Sequence, residues 1–595
     1  MGVTMPAIRY LGVCLLTLTA IAELPALADG ATDWVARSDE HTALVTDFFA
    51  RYEPELMSRL GVAAANERVM PLALDVNERA REEGEAVVAE LRRRLAAEAH
   101  PQVRQDLEIL IQTIEEALEK QVAEDRLLLP YFRIHRRVFI GLQSLLDEQS
   151  GAGRRQAALV RLRRYAGREE GYEPLPLLAR EYMRQRLGEP GLLGPVRSKV
   201  ELDLARAPKF VQAIPGLFEA AGVAGWREDY EALAAELGEY ESFLRQEVLP
   251  RTREDFRLPP ELYALELREF GVDMPVAELA SRAKVAFREI QTEMSTLAAL
   301  VAEQRGWESA DYRDVIRGLR GEQLEGEALL DHYRKTIEQI EELVERERVA
   351  TLPDRPLRMR LASEGEAAAI QAATIRWPQL LGESAAYGEI ILPMTYEGTE
   401  GLRYDDFTHA AAAWSLVVHE GRPGHELQLA SMNERGVSKA RAFFAFNSTN
   451  VEGWALYAES EMKAYLPLDA QLISLQHRLL RAARAFLDPG LQRGEITLEQ
   501  ARRLLIEEAV WSEGLAEQEL ERYTTDDPGQ ATSYFTGYTR MLELRADVER
   551  VLGGRFDRKA FNDFIVGQGL VPPALLRKAV FEEFVPAALG AAASG

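Results

Sequence analysis

The chain of 595 residues is 47% hydrophobic and 28% charged, a balance that supplies a large buried core and excludes a disordered polymer. Its 96 acidic residues outnumber 71 basic ones and leave a formal net charge of -25. Such a surface repels phosphate backbones and anionic headgroups, so neither nucleic acid nor a membrane surface is expected as a partner.

At the N-terminus Arg9 precedes the apolar run Tyr10 to Ala22, and Ala26-Leu27-Ala28 stands before Asp29. Charged, apolar and small-residue segments in that order predict a signal peptide over 1–28, cleaved after Ala28, and a periplasmic or secreted mature chain. Removal takes away only Arg9 and Glu23, so the net charge is unchanged. The run is too short to span a bilayer, and no later stretch reaches the roughly 18 apolar residues a spanning helix needs. Stable membrane insertion is not expected. The single cysteine, Cys14, lies inside the apolar run, a position that disfavours lipid attachment. Its loss with the signal would exclude disulfides, cysteine nucleophiles and thiolate metal sites from the mature chain. Any metal must then rest on histidine and carboxylates.

From Asp39 to about Tyr387 the pattern predicts helix after helix, for example over Leu74 to Ala99, Gln102 to Asp125 and Val276 to Gln304, all rich in strong helix formers. Charge-dense pieces such as Arg79 to Arg94 mix both signs and read as solvated helix faces with local ion pairs. Pro and Gly clusters at Gly188 to Pro195, Pro250 to Pro260 and Thr351 to Pro356 mark turns. One strand is predicted at Gly388 to Tyr396, from Ile390, Ile391, Leu392 and Thr395, with Pro393 making it an edge strand on which an extended peptide could pair. The expected organisation is therefore a signal peptide (1–28), a helical part (29–387) and a metal-binding part (388–595).

Only eight histidines occur, yet His409, His419 and His425 fall within 17 residues, in HAAAAWSLVVHEGRPGHELQ. A helix is predicted from Thr408 to Val418, with Asp405, Asp406 or Thr408 to cap it. In the common zinc-protease pattern two histidines stand four apart on one helical face, and the intervening glutamate activates a water. Here the spacing is six, which on a regular helix turns the second imidazole by about 240° off the first one's face. Pro423-Gly424 supplies a break that lets the chain bulge and bring His425 round. A bland alternative is two core histidines near a helix end. A glutamate between them and a helix-breaking Pro-Gly both cost stability, and such violations concentrate at functional sites. The lengthened motif could thus close on zinc through His419 and His425. His409, ten residues earlier on another face, is left out, and His41, His100, His135, His332 and His477 read as ordinary residues.

A third ligand is required. NVEGWALYAESEM offers Glu452 in the first turn of a helix that Asn450 could cap, where the helix dipole favours an ionised carboxylate. Glu459, seven residues on, shares nearly the same face about 10.5 Å further along, so both cannot reach one ion. Glu452 is assigned to zinc. Glu459 either orients a ligand histidine or is a plain salt-bridge residue.

The segments HEGRPGHELQ, EGWALYAE, RAARAFLDPGLQ and DDPGQATSYFTGY, in this order, resemble the family catalogued as domain of unknown function 885. Its members are bacterial proteins similar to helical zinc metallopeptidases with a lengthened His-Glu motif. The likeness runs from about Asp39 to Val580. It implies a mainly α fold, a large single helical body with a deep cleft, and one zinc ion on His419, His425 and Glu452 with Glu420 as general base. It also points to Tyr534 as a cleft tyrosine able to donate to an oxyanion, against the alternative that Tyr534 and Tyr538 are a packed aromatic pair. Three positions depart from the family pattern. Glu426 fills the second place of a His doublet, Gln492 ends DPGLQ where DTGIH is usual, and Asn562 stands in FND for FHD.

The expected activity is zinc-dependent hydrolysis, foremost of short peptides. An amidase or esterase acting on a non-peptide metabolite, and a non-catalytic exported binding protein, are the alternatives.

Overall fold

A computed structural model describes residues 31–147, 150–362, 374–382, 388–392, 396–397 and 403–590. The expected signal peptide, its cleavage site and Cys14 lie outside these residues. Within them the chain is mainly α-helical, with one three-stranded and one two-stranded sheet. No helix among them is long and apolar enough to cross a membrane. The chain packs as two compact units, one of 1–262, 377–387 and 438–445, the other of 263–376, 388–437 and 446–595. The boundary at 387/388 is thus one of several crossings between the units.

The first unit is built of helices, among them Ala31–Tyr52, Val76–Ala97, Pro101–Leu127, Ile134–Leu146 and Arg197–Ala220. The mixed-charge surface of Val76–Ala97 carries short-range pairs such as Arg93–Glu90 and Arg94–Glu90, as its sequence predicts. The short return segment 438–445 is tied in by Asp106. That buried carboxylate accepts hydrogen bonds from Ser38 Oγ (2.5 Å), Ser438 Oγ (2.6 Å) and Arg441 Nε (2.7 Å).

The second unit holds the motifs. Its helices used below are α1 (Val276–Arg305), α2 (Gly326–Arg346), α3 (Ala410–Leu416), α4 (His425–Arg435), α5 (Ser448–Met462), α6 (Leu468–Gln492) and α7 (Thr532–Leu552). The three-stranded sheet comprises β1 (Arg358–Leu361), β2 (Thr374–Arg376) and β3 (Glu389–Leu392), in the order β1-β3-β2. Strand β3 runs parallel to β1, with Met359 opposite Ile390, and antiparallel to β2, with Ile375 opposite Ile390.

Two expectations are corrected here. The strand at 389–392 is central, not an edge, and all four of its residues are buried. Its partners β1 and β2 lie in the stretch to 387 that the pattern reads as wholly helical. They are four and three residues long, too short for a period of two to stand out against helical surroundings. Pro393 and Thr395 lie outside the described residues, and Tyr396 belongs to a separate two-stranded ladder, Tyr396–Glu397 with Arg403–Tyr404.

One apolar cluster fixes the sheet against the helices. Ile390 and Leu392 of β3 pack with Tyr333, Ile337 and Ile340 of α2, with Leu416, Val417 and Val418 at the end of α3, and with Ala458 of α5. Residues immediately beside His419 and Glu459 are therefore part of the core. Helices α5 and α7 cross at a pair of glycines. A Cβ on Gly537 would lie 1.9 Å from the carbonyl oxygen of Thr449 and 2.8 Å from Cα of Gly453. Only hydrogen fits at this crossing, and the backbone, not a flexible side chain, forms the obstacle. Gly537→Ala is expected to lower unfolding stability by about 1–3 kcal/mol through overpacking. Gly554→Ala, with open space around its Cβ position, should change little. Paired denaturant titrations of the two variants check this.

Candidate metal centre

The lengthened motif is divided among three pieces of backbone. Helix α3 ends at Leu416 and passes into a π-helical turn over Val417–Gly421, which carries His419 and Glu420. The chain then bends through a cis Arg422–Pro423 peptide, and α4 starts at His425. The caps expected for α3 are used elsewhere. Asp406 binds the backbone N–H of Ser512 at 3.0 Å, Thr408 pairs with Gln323, and His409 takes the cap position without a side-chain bond.

The return after the bend is tight. A Cβ on Gly424 would lie 2.0 Å from the carbonyl oxygen of His419 and 2.3 Å from that of Val418. Two side chains then hold the bend. Trp454 on α5 points its indole N–H at the carbonyls of Pro423 (3.0 Å) and Gly424 (3.2 Å). Buried Arg422 donates to Glu426 (2.7 Å), to Glu341 of α2 (2.7 Å) and to the carbonyl of Arg355 (2.7 Å).

This backbone places the two imidazole rings 4.7 Å apart between centroids. Glu452 Oε2 sits 3.5 Å from His419 Nε2 and 3.5 Å from His425 Nε2. That oxygen is buried and has no hydrogen-bond partner among the described residues. Two ligand atoms on one tetrahedral zinc stand about 3.3–3.5 Å apart, given bonds of about 2.0–2.2 Å. Glu452 Oε2 thus stands from each imidazole nitrogen at the spacing of two ligands on one ion. His419, Glu420 and His425 can also bring one ligand atom each within 4.8 Å of one another. Glu420 nevertheless suits the metal less well than Glu452. Its Oε1 is 3.9 Å from His419 Nε2, and its Oε2 accepts the backbone N–H of Ile375 at 3.0 Å. The imidazoles are 5–6% exposed while Glu420 and Glu452 are 14–15% exposed, so the carboxylates face what opening there is.

Glu452 lies in the second turn of α5, not the first. The cap is Asn447, whose side chain accepts the N–H of Asn450 at 2.8 Å, while Asn450 donates to the carbonyl of Val571. The helix dipole, which fades within one turn, is therefore not what keeps Glu452 ionised. Burial opposes the charge, and the two imidazoles outweigh burial and hold the carboxyl well below its ordinary range. His419 shows the converse. Burial disfavours its imidazolium, but Glu452, Glu459 and Glu420 together raise it to about 9. Burial pushes Glu420 up, against the pull of both imidazoles.

Of the two readings of Glu459, the structure puts it against His419. It accepts from His419 Nδ1 at 2.6 Å and from Ser415 Oγ at 3.2 Å, and Arg481 stands 3.8 Å away. His477, an ordinary residue by sequence, completes this group through Ser415 Oγ at 3.2 Å. A signal for it exists. His477, Arg481, Arg484 and Asp488 follow at intervals of four, three and four along α6, a polar stripe on a largely buried helix. His409 remains apart, paired by a β-bridge to Gln323.

Tyr534 lies near the start of α7, where its burial and then the charge of Glu452 raise its phenol above the ordinary value. Its ring is covered by Arg484 at 4.4 Å, whereas Tyr538 is covered by Arg478 at 5.2 Å. Each tyrosine thus has a cation of its own.

The model of a bacterial protein family of unknown function, domain of unknown function 885, matches residues 54–580. The chain belongs to this family. Two solved structures share its fold. One, described as a candidate lipoprotein of unknown function from Shewanella oneidensis, is 20% identical with a TM-score of 0.71, over 91% of this chain and 98% of that one. The other, described as a candidate lipoprotein from Colwellia psychrerythraea, is 16% identical with a TM-score of 0.73, over 93% of this chain and 100% of that one. No curated protein matches the sequence.

The three departures from the family pattern each have a local partner. Glu426 receives Arg422, and Arg355 lies 3.6 Å away, so it faces away from the imidazole pair. Gln492 donates to the carbonyl of Tyr523 at 2.7 Å, and Asn562 bridges Tyr457 OH (3.0 Å) and the carbonyl of Val349 (2.8 Å). His425, and not the residue after it, is therefore the one directed at Glu452.

Because Trp454 fixes the bend by its one N–H, Trp454→Phe should keep the apolar packing and lose the forked hydrogen bond to both carbonyls. The expected cost is about 1–2 kcal/mol of stability, with amide hydrogen exchange accelerated at 424–428 more than elsewhere in α4.

Proposed function

We propose that the protein is an exported zinc-dependent hydrolase that cleaves short peptides, with one zinc on His419, His425 and Glu452. The observation that carries this reading is the buried Glu452 Oε2, without a hydrogen bond and equidistant from two imidazole nitrogens. Isolated buried carboxylates are costly, and two nitrogens with one oxygen leaving an approach open is the donor set of hydrolytic zinc. Bound there, zinc would supply Lewis acidity to a water and to the scissile carbonyl.

The chain's own residues supply the rest. With Glu459 accepting from His419 Nδ1, the neutral ring carries its lone pair on Nε2, where a bound cation would replace the second proton. Glu420, facing the same space through Oε1, is positioned to take the proton of an attacking water and return it to a leaving amine. Tyr534 can donate its phenol proton to the developing oxyanion.

A peptide substrate is favoured by the strand beside the base. Among the described residues β2 is an outer strand, with β3 on one side. The N–H of Ile375 points instead to Glu420. An extended peptide pairing along β2 would take up such backbone groups and bring its own carbonyl beside the base. Export is supported by the arrangement of residues 1–28 and agrees with the descriptions of the two similar structures.

Glu420→Gln is expected to retain one equivalent of zinc by metal analysis while peptide hydrolysis falls about 10²–10⁴-fold. Glu452→Gln should lose the metal as well. Undiminished activity in Glu420→Gln would remove the proposed base, and a purified wild-type protein unable to bind zinc would remove the reading. Assaying short peptides beside simple amides and esters separates a peptidase from an amidase or esterase.

A further inference from the structure

Helix α6 carries two arginines beside Tyr534, and they are used very differently. Arg484 is fully engaged. Its Nε and Nη2 bind the two oxygens of Glu519 at 2.7 and 2.6 Å, and its guanidinium stacks on the Tyr534 ring at 4.4 Å. Arg481, one turn earlier, approaches the same ring at 6.0 Å and has Glu459 at 3.8 Å, beyond hydrogen-bond length. Its Nε is buried and has no hydrogen-bond partner among the described residues. The side chain is 12% exposed, against 0% for Glu459.

A guanidinium offers five donors in a planar fork suited to a carboxylate. Burying it without those bonds is costly, and Glu459 does not supply them, because its two oxygens are turned to His419 and Ser415. Arg481 is thus a partly exposed cation with unused donors. It stands between the carboxylate that holds His419 and the ring of Tyr534.

We propose that Arg481 binds a carboxylate of the substrate, so that peptides with a negative group next to the cleaved bond are preferred. This rests on the hydrolase reading and names the substrate class for the same site. The carboxylate could be a peptide's C-terminus or an acidic side chain, and the two share the chemistry that the fork recognises. Arg481 is a specificity-determining residue here. It takes no part in proton transfer.

The test uses the full-length, zinc-loaded Glu420→Gln protein, so that ligands bind without turnover. Isothermal titration with acetyl-Ala-Ala and with its C-terminal amide measures the preference for a terminal carboxylate. Acetyl-Ala-Glu-amide against acetyl-Ala-Gln-amide measures it for a side chain. One of the two acid forms should bind about ten- to a hundredfold more tightly than its neutral counterpart, the range of a charge-assisted hydrogen-bonded pair. Adding Arg481→Gln should reduce that ratio to about one, while Arg481→Lys should retain part of it. In proteins with Glu420 intact, Arg481→Gln should raise KM for the acid peptide far more than for the neutral one.

Equal affinity for acid and neutral forms in both pairs would overturn the proposal. So would a preference that survives Arg481→Gln. A uniform loss for all four ligands together with a loss of zinc would assign Arg481 to supporting Glu459 instead, and would also overturn it. The hydrolase reading fails separately. If wild type cleaves no peptide yet the acid preference depends on Arg481, a carboxylate-binding site remains without the hydrolytic chemistry.

Discussion

Everything at the centre depends on how closely the chain returns on itself after His419. The position that a side chain on Gly424 would occupy is already filled by the carbonyls of Val418 and His419. Only with hydrogen there can α4 start where it does, and only then does His425 face His419 across 4.7 Å. A six-residue spacing on an unbroken helix would turn the two imidazoles apart. The π-helical turn over Val417–Gly421 and the bend at Pro423 together replace that rotation with a fold-back. Trp454 then makes the geometry a property of two elements. The helix that presents Glu452 also donates to the carbonyls of the bend, so imidazoles and carboxylate are set by one contact and not by independent loops.

The same helix explains why rigidity extends to Tyr534. Helices α5 and α7 meet at Gly453 and Gly537 with no side chain between them. Gly453 is the residue after Glu452, and Gly537 lies three after Tyr534. A crossing so close fixes the relative height of the two helices, hence of the carboxylate and the phenol. The glycine in EGW is explained by this packing and needs no direct part in chemistry.

Much of this was legible in the sequence, for identifiable reasons. Helix formers recur over long stretches, so the helical class and spans such as Val76–Ala97 and Val276–Arg305 follow from pattern. His419, His425 and Glu452 could be placed together because rare histidines, a break within a good helix and an acid early in a second helix each limit the geometry, whereas the sequence leaves Glu459 open between orienting a histidine and forming a plain salt bridge. What was not legible is what depends on contacts distant in the chain. Strands of three and four residues have too little periodicity to announce themselves, so the central place of 389–392 in its sheet could not be read from 389–392 alone. The start of α5 was misplaced because Asn447 and Asn450 are equally good caps by type, and only the bond from Asn450 N–H to Asn447 decides between them. His477 looks solitary in the sequence because its partners Ser415 and Glu459 come from two other helices.

The substitutions at three family positions bear on whether the centre is intact. A loss of imidazoles would disable a metal site if those imidazoles were ligands. Here Glu426 is taken up by Arg422, whose other donors reach Glu341 and the Arg355 carbonyl. That arginine adjoins Pro423, so the acid at 426 contributes to holding the bend, and a histidine there could give Arg422 no such charged partner. Gln492 and Asn562 bond to backbone carbonyls away from the imidazole pair. The four groups that the proposed chemistry uses are untouched by these changes, and Glu426 ties down Arg422 beside the turn on which their convergence depends.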